Sequence, residues 1–251
     1  MESSKLIRLM GSALMRNIAR YQSGLPKASP EVQNLADITG IQKIDPIPKD
    51  PMHLFKSWFT HHSQLHQDSN LVANVMNVST ASKDGRVNSR SLILRRLDED
   101  GFVIMTDNRS SKSQDLKDNP NAAFTFLWIN NVDGLYLARQ IRIAGKVIQL
   151  ETSNWIDVYD SEPLFCKIRA YVCHQGQPVD WDTHKKNHDD LLAQFESGKH
   201  DLKRPDHVVA YKLFPTFMDF YESHGLKIAD RLKYVRHSEI NKNWECSRIA
   251  A

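Results

Sequence analysis

Cysteine is scarce in this sequence and carries no signature. Cys166, Cys173 and Cys246 are odd in number and none sits at metal-ligand spacing from another, so they read as free thiols of a reducing compartment. A strong excess of either charge is also missing: 33 Lys and Arg face 30 Asp and Glu, a net +3. A dedicated nucleic-acid binder concentrates basic residues on one face, and that class is not expected here. No apolar run approaches the ~20 residues of a membrane-spanning helix. Walker A, GxGxxG, GxSxG and HExxH motifs are all absent, as are internal repeats and low-complexity tracts. What remains is the composition of an ordinary soluble globular protein, 41% hydrophobic and 25% charged over 251 residues. That length suits one large domain or two small ones with a substantial core.

The first residues differ from the rest. "MESSKLIRLMGSALMRNIARYQSG" carries Lys5, Arg8, Arg16 and Arg20, with Glu2 as its lone acid before Glu31, and its aliphatic residues share one helical face. Such a pattern reads either as a mitochondrial presequence or as a surface tail, so the expected compartment is the cytoplasm or the mitochondrion. Prolines 26, 30, 46, 48 and 51 then mark an extended arm. The expected organisation is a tail over 1–49 and a folded domain over 50–251. "DPMHLFKSWFTHHSQLHQ" opens that domain as a helix, with Leu54, Phe55, Trp58 and Phe59 at helical spacing. Its histidines, His53, His61, His62 and His66, lack acidic or cysteine partners at ligand spacing and are expected to be solvated rather than to hold a metal.

From residue 71 the period changes to that of strands. Asp84-Gly85 predicts a hairpin within "LVANVMNVSTASKDGRVNSRSLILRR", and Asp100-Gly101 leads into "FVIMT". "NAAFTFLW" and "GLYLARQIRIAGKVIQL" supply further strands, the second with a bulge near Gly145. Helices are expected over "ETSNWIDVYD" and "WDTHKKNHDDLLAQFES". Strands resume with "HVVAYKLFP", "FMDFYES", "RLKYVR" and "NWECSRIA". Many short strands with hairpin turns, interrupted by a few helices, predict a mainly β, α+β fold, an antiparallel barrel or sandwich rather than a parallel sheet.

One strand is oddly patterned. "RSLILRR", residues 90–96, mixes aliphatic side chains with arginine on both faces, so its ends either emerge into water or meet an anion. "TDNRSSKSQDLKDNP" begins a helix after a strand, with Ser110 as N-cap and Lys112 in the first turn. A lysine there opposes the helix dipole unless an anion sits at that terminus; the alternative is a solvent-facing lysine. In "CHQGQPV", Cys173 and His174 are adjacent and point apart, which argues against a nucleophile pair.

Taken together, "DPMHLFKSWF", "KDGRVNSRSLILR", "DGFVIMTDNRSSKSQDL", "NPNAAFTFLW", "RQIRIAGKV", "CHQGQPV", the Asp230-Arg231 pair and the terminal "WECSRIAA" resemble the pyridoxamine/pyridoxine 5′-phosphate oxidase family in content and order. The resemblance implies an antiparallel Greek-key split barrel that binds FMN at a homodimer interface. It also implies oxidation of pyridoxine or pyridoxamine 5′-phosphate to pyridoxal 5′-phosphate, with O2 as acceptor, in vitamin B6 metabolism. By position, the flavin contacts it implies are Arg90, Ser91, Leu92, Ile93, Met105, Thr106, Ser111, Lys112, Gln140, Gln175, Gly176, Tyr221 and Arg231. Ser111 replaces an arginine of the family pattern, Gly176 a serine and Tyr221 a tryptophan. The substrate-phosphate positions read Arg95, Tyr159, Glu162 and Cys166, where the family has lysine, tyrosine, arginine and serine. "KIADR" stands for the family's "RLHDR", so that Lys227 and Arg231 are the implied catalytic residues and Ala229 leaves a substrate contact unmade. Glu162 reverses a charge, so the expected activity is weakened or altered. The other readings are a non-catalytic flavin- or vitamer-binding relative, and a split-barrel oxidoreductase with a different, less anionic substrate.

Overall fold

The computed structural model of the chain describes residues 40–66, 73–237 and 243–251. Ile41–Ala251 forms one compact unit. The basic N-terminal segment and most of the proline-rich arm lie outside the described residues.

Asp50 caps helix α1 (Pro51–Leu65) by accepting from the Met52 N–H at 2.9 Å, and Pro51 occupies the first turn, where its missing N–H costs nothing. A hairpin follows, β1 (Val75–Ala81) and β2 (Val87–Ile93), turning at Gly85 with φ +83°. Next come β3 (Arg96–Leu97), β4 (Phe102–Asp107) and helix α2 (Ser111–Asp118). The long strands β5 (Asn121–Val132) and β6 (Leu135–Gln149) form a second hairpin. A 3-10 turn (Thr152–Asn154) leads into α3 (Ile156–Asp160), α4 (Leu164–Val172) and α5 (Trp181–Glu196). Strands β7 (Val208–His224), β8 (Asp230–Val235) and β9 (Glu245–Arg248) close the chain.

Among the described residues the strands make one nine-stranded antiparallel sheet, ordered β2-β1-β5-β6-β7-β4-β3, with β8 on β7 and β9 on β8. It curls into the expected half-barrel. Alternation along β5 sends Phe124, Phe126 and Trp128 inward and Leu127 and Ile129 outward. Helix α1 plugs the inside: the Phe55 ring lies 4.9 Å from Phe102 and 5.1 Å from Phe126, both edge-on. A second apolar cluster (Val103, Trp155, Tyr159, Val208) forms on the other face of β4 and β7, under α3. A third joins α4 to α5 through Ile168 and Leu191. These two clusters seat the helices that wall the cleft described below.

The bulge falls at Ala144/Gly145, where the β6–β7 register shifts. The structure differs from expectation on the opposite strand: "HVVAYKLFP" and "FMDFYES" are one strand, running through Pro215. Pro215 lacks an N–H to give to a ladder, and it sits opposite Gly145 where the register is already broken. "LFCKIRAYV", outside the two stretches expected to be helical, is helix α4; Leu164, Ile168 and Tyr171 carry its 3.6-residue period. The α1 histidines are not simply solvated. His62 is buried and stacks on Trp128 at 5.2 Å, with burial pushing its pKa down. His61 meets Arg139 at 2.8 Å and His66 meets Asn130 at 2.8 Å.

Gly145 is required sterically, because a Cβ there would collide with the Phe214 carbonyl. Gly145→Ala is expected to lower the unfolding free energy by about 1–3 kcal/mol, the range for overpacking a tight site, as read by urea denaturation.

Candidate functional site

Strand β4 runs into α2 at one end of the barrel, and the chain turns there so that side chains from β2, β4, α2, α4 and the following loop converge. They line a cleft of about 450 Å³.

Lys112 is its most unusual group. It is only 2% exposed, in the first turn of α2. Its Nζ donates to Thr106 Oγ1 at 3.0 Å and to Gln175 Oε1 at 2.9 Å. Among the described residues no carboxylate forms an ion pair with it. Asp107, which favours its charge, is clasped by Arg109 at 2.6 Å. Burial first, and then the nearby Arg90 guanidinium, push the Lys112 pKa down to about 8. Ser110 occupies the N-cap position of α2, but its hydroxyl pairs with Ser113 Oγ at 3.2 Å rather than capping a backbone N–H.

Arg90 comes from β2. It lies opposite Val78, on the inward face at the barrel rim, and donates to Thr80 Oγ1 at 2.8 Å. Asp115 lies 3.9 Å from it, while also accepting from Thr80 at 2.6 Å and Asn88 at 3.0 Å. The first arginine of "RSLILRR" therefore meets neither bulk water nor a dedicated counter-ion. The one carboxylate near Arg90 among the described residues, Asp115, is already engaged by Thr80 and Asn88. Together with the start of α2 this is a place suited to a phosphate.

Leu92, Met105, Thr106, Gln175 and Gly176 also line the cleft, Gly176 in the left-handed region at φ +87°. Ser91 and Ile93 alternate onto the opposite face of β2, and Ser111 is exposed. Gln140, Tyr221 and Arg231 lie elsewhere. They are direct cross-strand neighbours on β6, β7 and β8, on the outer face of the sheet. Arg231 is held there by Asp219, through Nε at 2.9 Å and Nη2 at 2.6 Å. Lys227 and Ala229 sit in the turn before β8, and neither lines the cleft. One chain thus presents two separate groups of the expected contacts.

The expected substrate positions converge differently. Arg95 Nη2 lies 3.0 Å from Glu162 Oε2, an ion pair with both side chains largely buried (18% and 4% exposed). Its angle is off the line of a hydrogen bond, since Oε2 has no such partner. Glu162 therefore neutralises Arg95 instead of standing alone in the pocket. Tyr159 donates its hydroxyl to the Leu202 carbonyl at 3.0 Å. Burial, then Glu162, push the Cys166 thiol pKa up. Sequence reasoning missed Asp115, Arg109 and His184. Arg109 donates to the Cys173 carbonyl at 3.1 Å, and His184 Nε2, rather than His174, lies 3.7 Å from Cys173 Sγ. Asp115 stands one residue-triplet beyond Lys112 on the same helix face, a signal legible in hindsight.

A curled antiparallel half-barrel, with Lys112 and Arg90 close together where β4 meets α2, defines the class: a split barrel. Comparison with known proteins narrows it. The pyridoxamine 5′-phosphate oxidase family profile matches residues 67–178. The chain is 31% identical over 202 residues to the pyridoxine/pyridoxamine 5′-phosphate oxidase of Burkholderia vietnamiensis, covering 80% of this chain and 89% of that protein. It is 32% identical over 205 residues to the Pseudomonas fluorescens enzyme of the same name, covering 81% and 89%. Among solved structures, PhzG from Burkholderia lata, in complex with tetrahydrophenazine-1-carboxylic acid, superposes with a TM-score of 0.71 at 22% identity, covering 85% of this chain and 100% of that one. An FMN-binding, pyridoxamine 5′-phosphate oxidase-related protein from Nostoc punctiforme gives 0.60 at 17%, covering 78% and 97%. These two share the fold. The chain belongs to the pyridoxamine 5′-phosphate oxidase family, whose fold is associated with FMN and with oxidase chemistry.

The lowered Lys112 pKa makes a pH-dependent site. Between pH 8 and about 10.5 the unfolded chain holds this proton and the folded chain does not, so this group's contribution to stability rises with pH across that window. An anion bound beside the ammonium acts oppositely and raises the pKa. If the family's FMN places its phosphate here, its affinity is expected to fall as pH rises above 8, with proton uptake on binding at pH 8–9 by calorimetry in buffers of different ionisation enthalpy; Lys112→Met should abolish the uptake.

Proposed function

We propose that this chain is an FMN-dependent oxidase acting as a homodimer on a small heteroaromatic ring, with O2 as acceptor. The reference reaction is conversion of pyridoxine or pyridoxamine 5′-phosphate to pyridoxal 5′-phosphate, and the expected activity on these esters is weak. The observation that carries the reading is Lys112, a buried cation without an ion-pair partner among the described residues, set beside Arg90. Bound there, FMN would supply the hydride-accepting and O2-reducing chemistry that the protein itself lacks. The protein's part is to hold and orient. Lys112, Arg90 and the start of α2 bind the flavin phosphate; Thr106 and Gln175 fix the Lys112 ammonium.

The second group, Gln140, Tyr221 and Arg231, completes the site from the other subunit. Support comes from the surface beside it: Leu127, Ile129 and Tyr136 are 60%, 55% and 64% exposed on the outer face of β5 and β6. An apolar sheet face of this kind is a natural interface between copies. Arg231 then arrives pre-set by Asp219, and Lys227 comes with it from the turn that leads into β8. In the proposed organisation 50–251 is the oxidase domain, and the preceding segment belongs to targeting or to a tail, in the cytoplasm or the mitochondrion. Packing extends ahead of Asp50, since Ile44 is buried and its N–H donates to Asp230 at 2.7 Å.

If Arg90 grips the flavin phosphate, Arg90→Ala should weaken FMN binding by about 1.5–3 kcal/mol, one charge-assisted bond, by flavin fluorescence titration. Riboflavin, which has no phosphate, should bind poorly and be indifferent to the change; equal losses for both ligands would place the arginine's effect in the fold. Sedimentation of the yellow protein at micromolar concentration is expected to show a dimer. A folded monomer with FMN bound would overturn the shared-site reading.

A further inference from the structure

The cleft has one wall that a phosphate-binding pocket should not have. Arg95, Tyr159, Glu162 and Cys166 occupy the positions expected to grip a substrate phosphate, and each is already committed. The Arg95–Glu162 pair carries no net charge, and its partners are 3.0 Å apart with the carboxylate 4% exposed. A dianion approaching Arg95 therefore meets Glu162 as well, so attraction and repulsion largely cancel while the phosphate still loses its water. The Tyr159 proton is already given to the Leu202 carbonyl. Burial holds its pKa up at about 12, so the phenol stays neutral. Cys166 offers a neutral thiol.

The cation left on this side is Arg169, which is exposed, with its Nη2 3.9 Å from Cys166 Sγ. A guanidinium in water adds about fivefold at most to the binding of an anion. The rest of the wall is hydrogen-bonding or apolar: His174, His184 with Cys173, and Val179. Side chains of that sort suit hydroxyl and amine groups.

We infer that the substrate of this cleft carries no phosphate: it is a hydroxymethyl- or aminomethyl-bearing heteroaromatic ring, and the Arg95–Glu162 pair is the specificity determinant that selects against the phosphate ester. This deepens the oxidase reading and rests on it. The cleft then takes a single phosphate, that of the cofactor, at Lys112 and Arg90.

The test is calorimetric binding of pyridoxine and of pyridoxine 5′-phosphate to the FMN-loaded protein at pH 7.5. Pyridoxine is expected to bind at least as tightly as its ester; an ester bound tenfold tighter would overturn the inference. In Glu162→Gln, Arg95 is released, so affinity for the ester should rise about tenfold, the gain of one charge-assisted bond, while pyridoxine stays within about twofold. Unchanged affinity for both would overturn the role given to the pair. Should that variant not fold, the wild-type comparison decides alone. Failure of the protein to bind FMN would remove the oxidase reading and this inference together, whereas FMN bound with the ester preferred removes the inference only.

Discussion

A buried ammonium with no carboxylate partner among the described residues is the constraint around which the cleft is arranged. Lys112 loses most of its hydration at the start of α2, where the helix dipole also disfavours it, and Arg90 adds a second positive charge. Such a group persists only if the surroundings hold it in place. Thr106 and Gln175 do so with neutral oxygens, while Asp107 and Asp115, the nearby acids, are drawn off by Arg109 and by the Thr80–Asn88–Arg90 cluster. The result is a local positive potential left uncompensated by the described residues. An anionic ligand would relieve the cost through charge rather than through the shape of the cleft.

The Arg95–Glu162 pair shows the opposite arrangement a few residues further along the same strand region. Here the charge is cancelled from within, by a carboxylate supplied from just beyond α3. One cleft thus holds a charged end and a neutral end, and the two ends discriminate between ligands by different physics. The first attracts through unbalanced charge. On the inference drawn above, the second rejects a second phosphate because dehydrating it brings no net Coulomb return.

The sheet explains why the expected contacts fall into two groups. Gln140, Tyr221 and Arg231 are held in one cross-strand row by the β6–β7–β8 register, on the face turned away from Phe126, Ile141 and Phe220. Nothing within a single chain can carry that row into the Lys112 cleft, because the barrel core lies between the two faces. A second copy seated on Leu127 and Ile129 can.

Much of this was legible in the amino-acid order. Period-two alternation and the Asp-Gly turns marked β1, β2, β4, β5 and β6, Gly145 marked the bulge, and the order of motifs marked the family; these are local signals, each set within a few residues. Tertiary structure alone decided what the local pattern could not. Pro215 reads as a strand breaker until its partner strand is seen to bulge at Gly145. The short, mixed "LFCKIRAYV" becomes a helix because α5 covers its apolar side. Lys112, by local rules a solvent-facing lysine, is buried because β4 and the Gln175 loop close over it. Glu162 looked like a lone opposing charge, and only the fold places the Arg95 guanidinium against it. Burial and ion pairing are properties of distant segments brought together, so charge at a site is decided by the fold even where the residues that carry it can be named from the sequence.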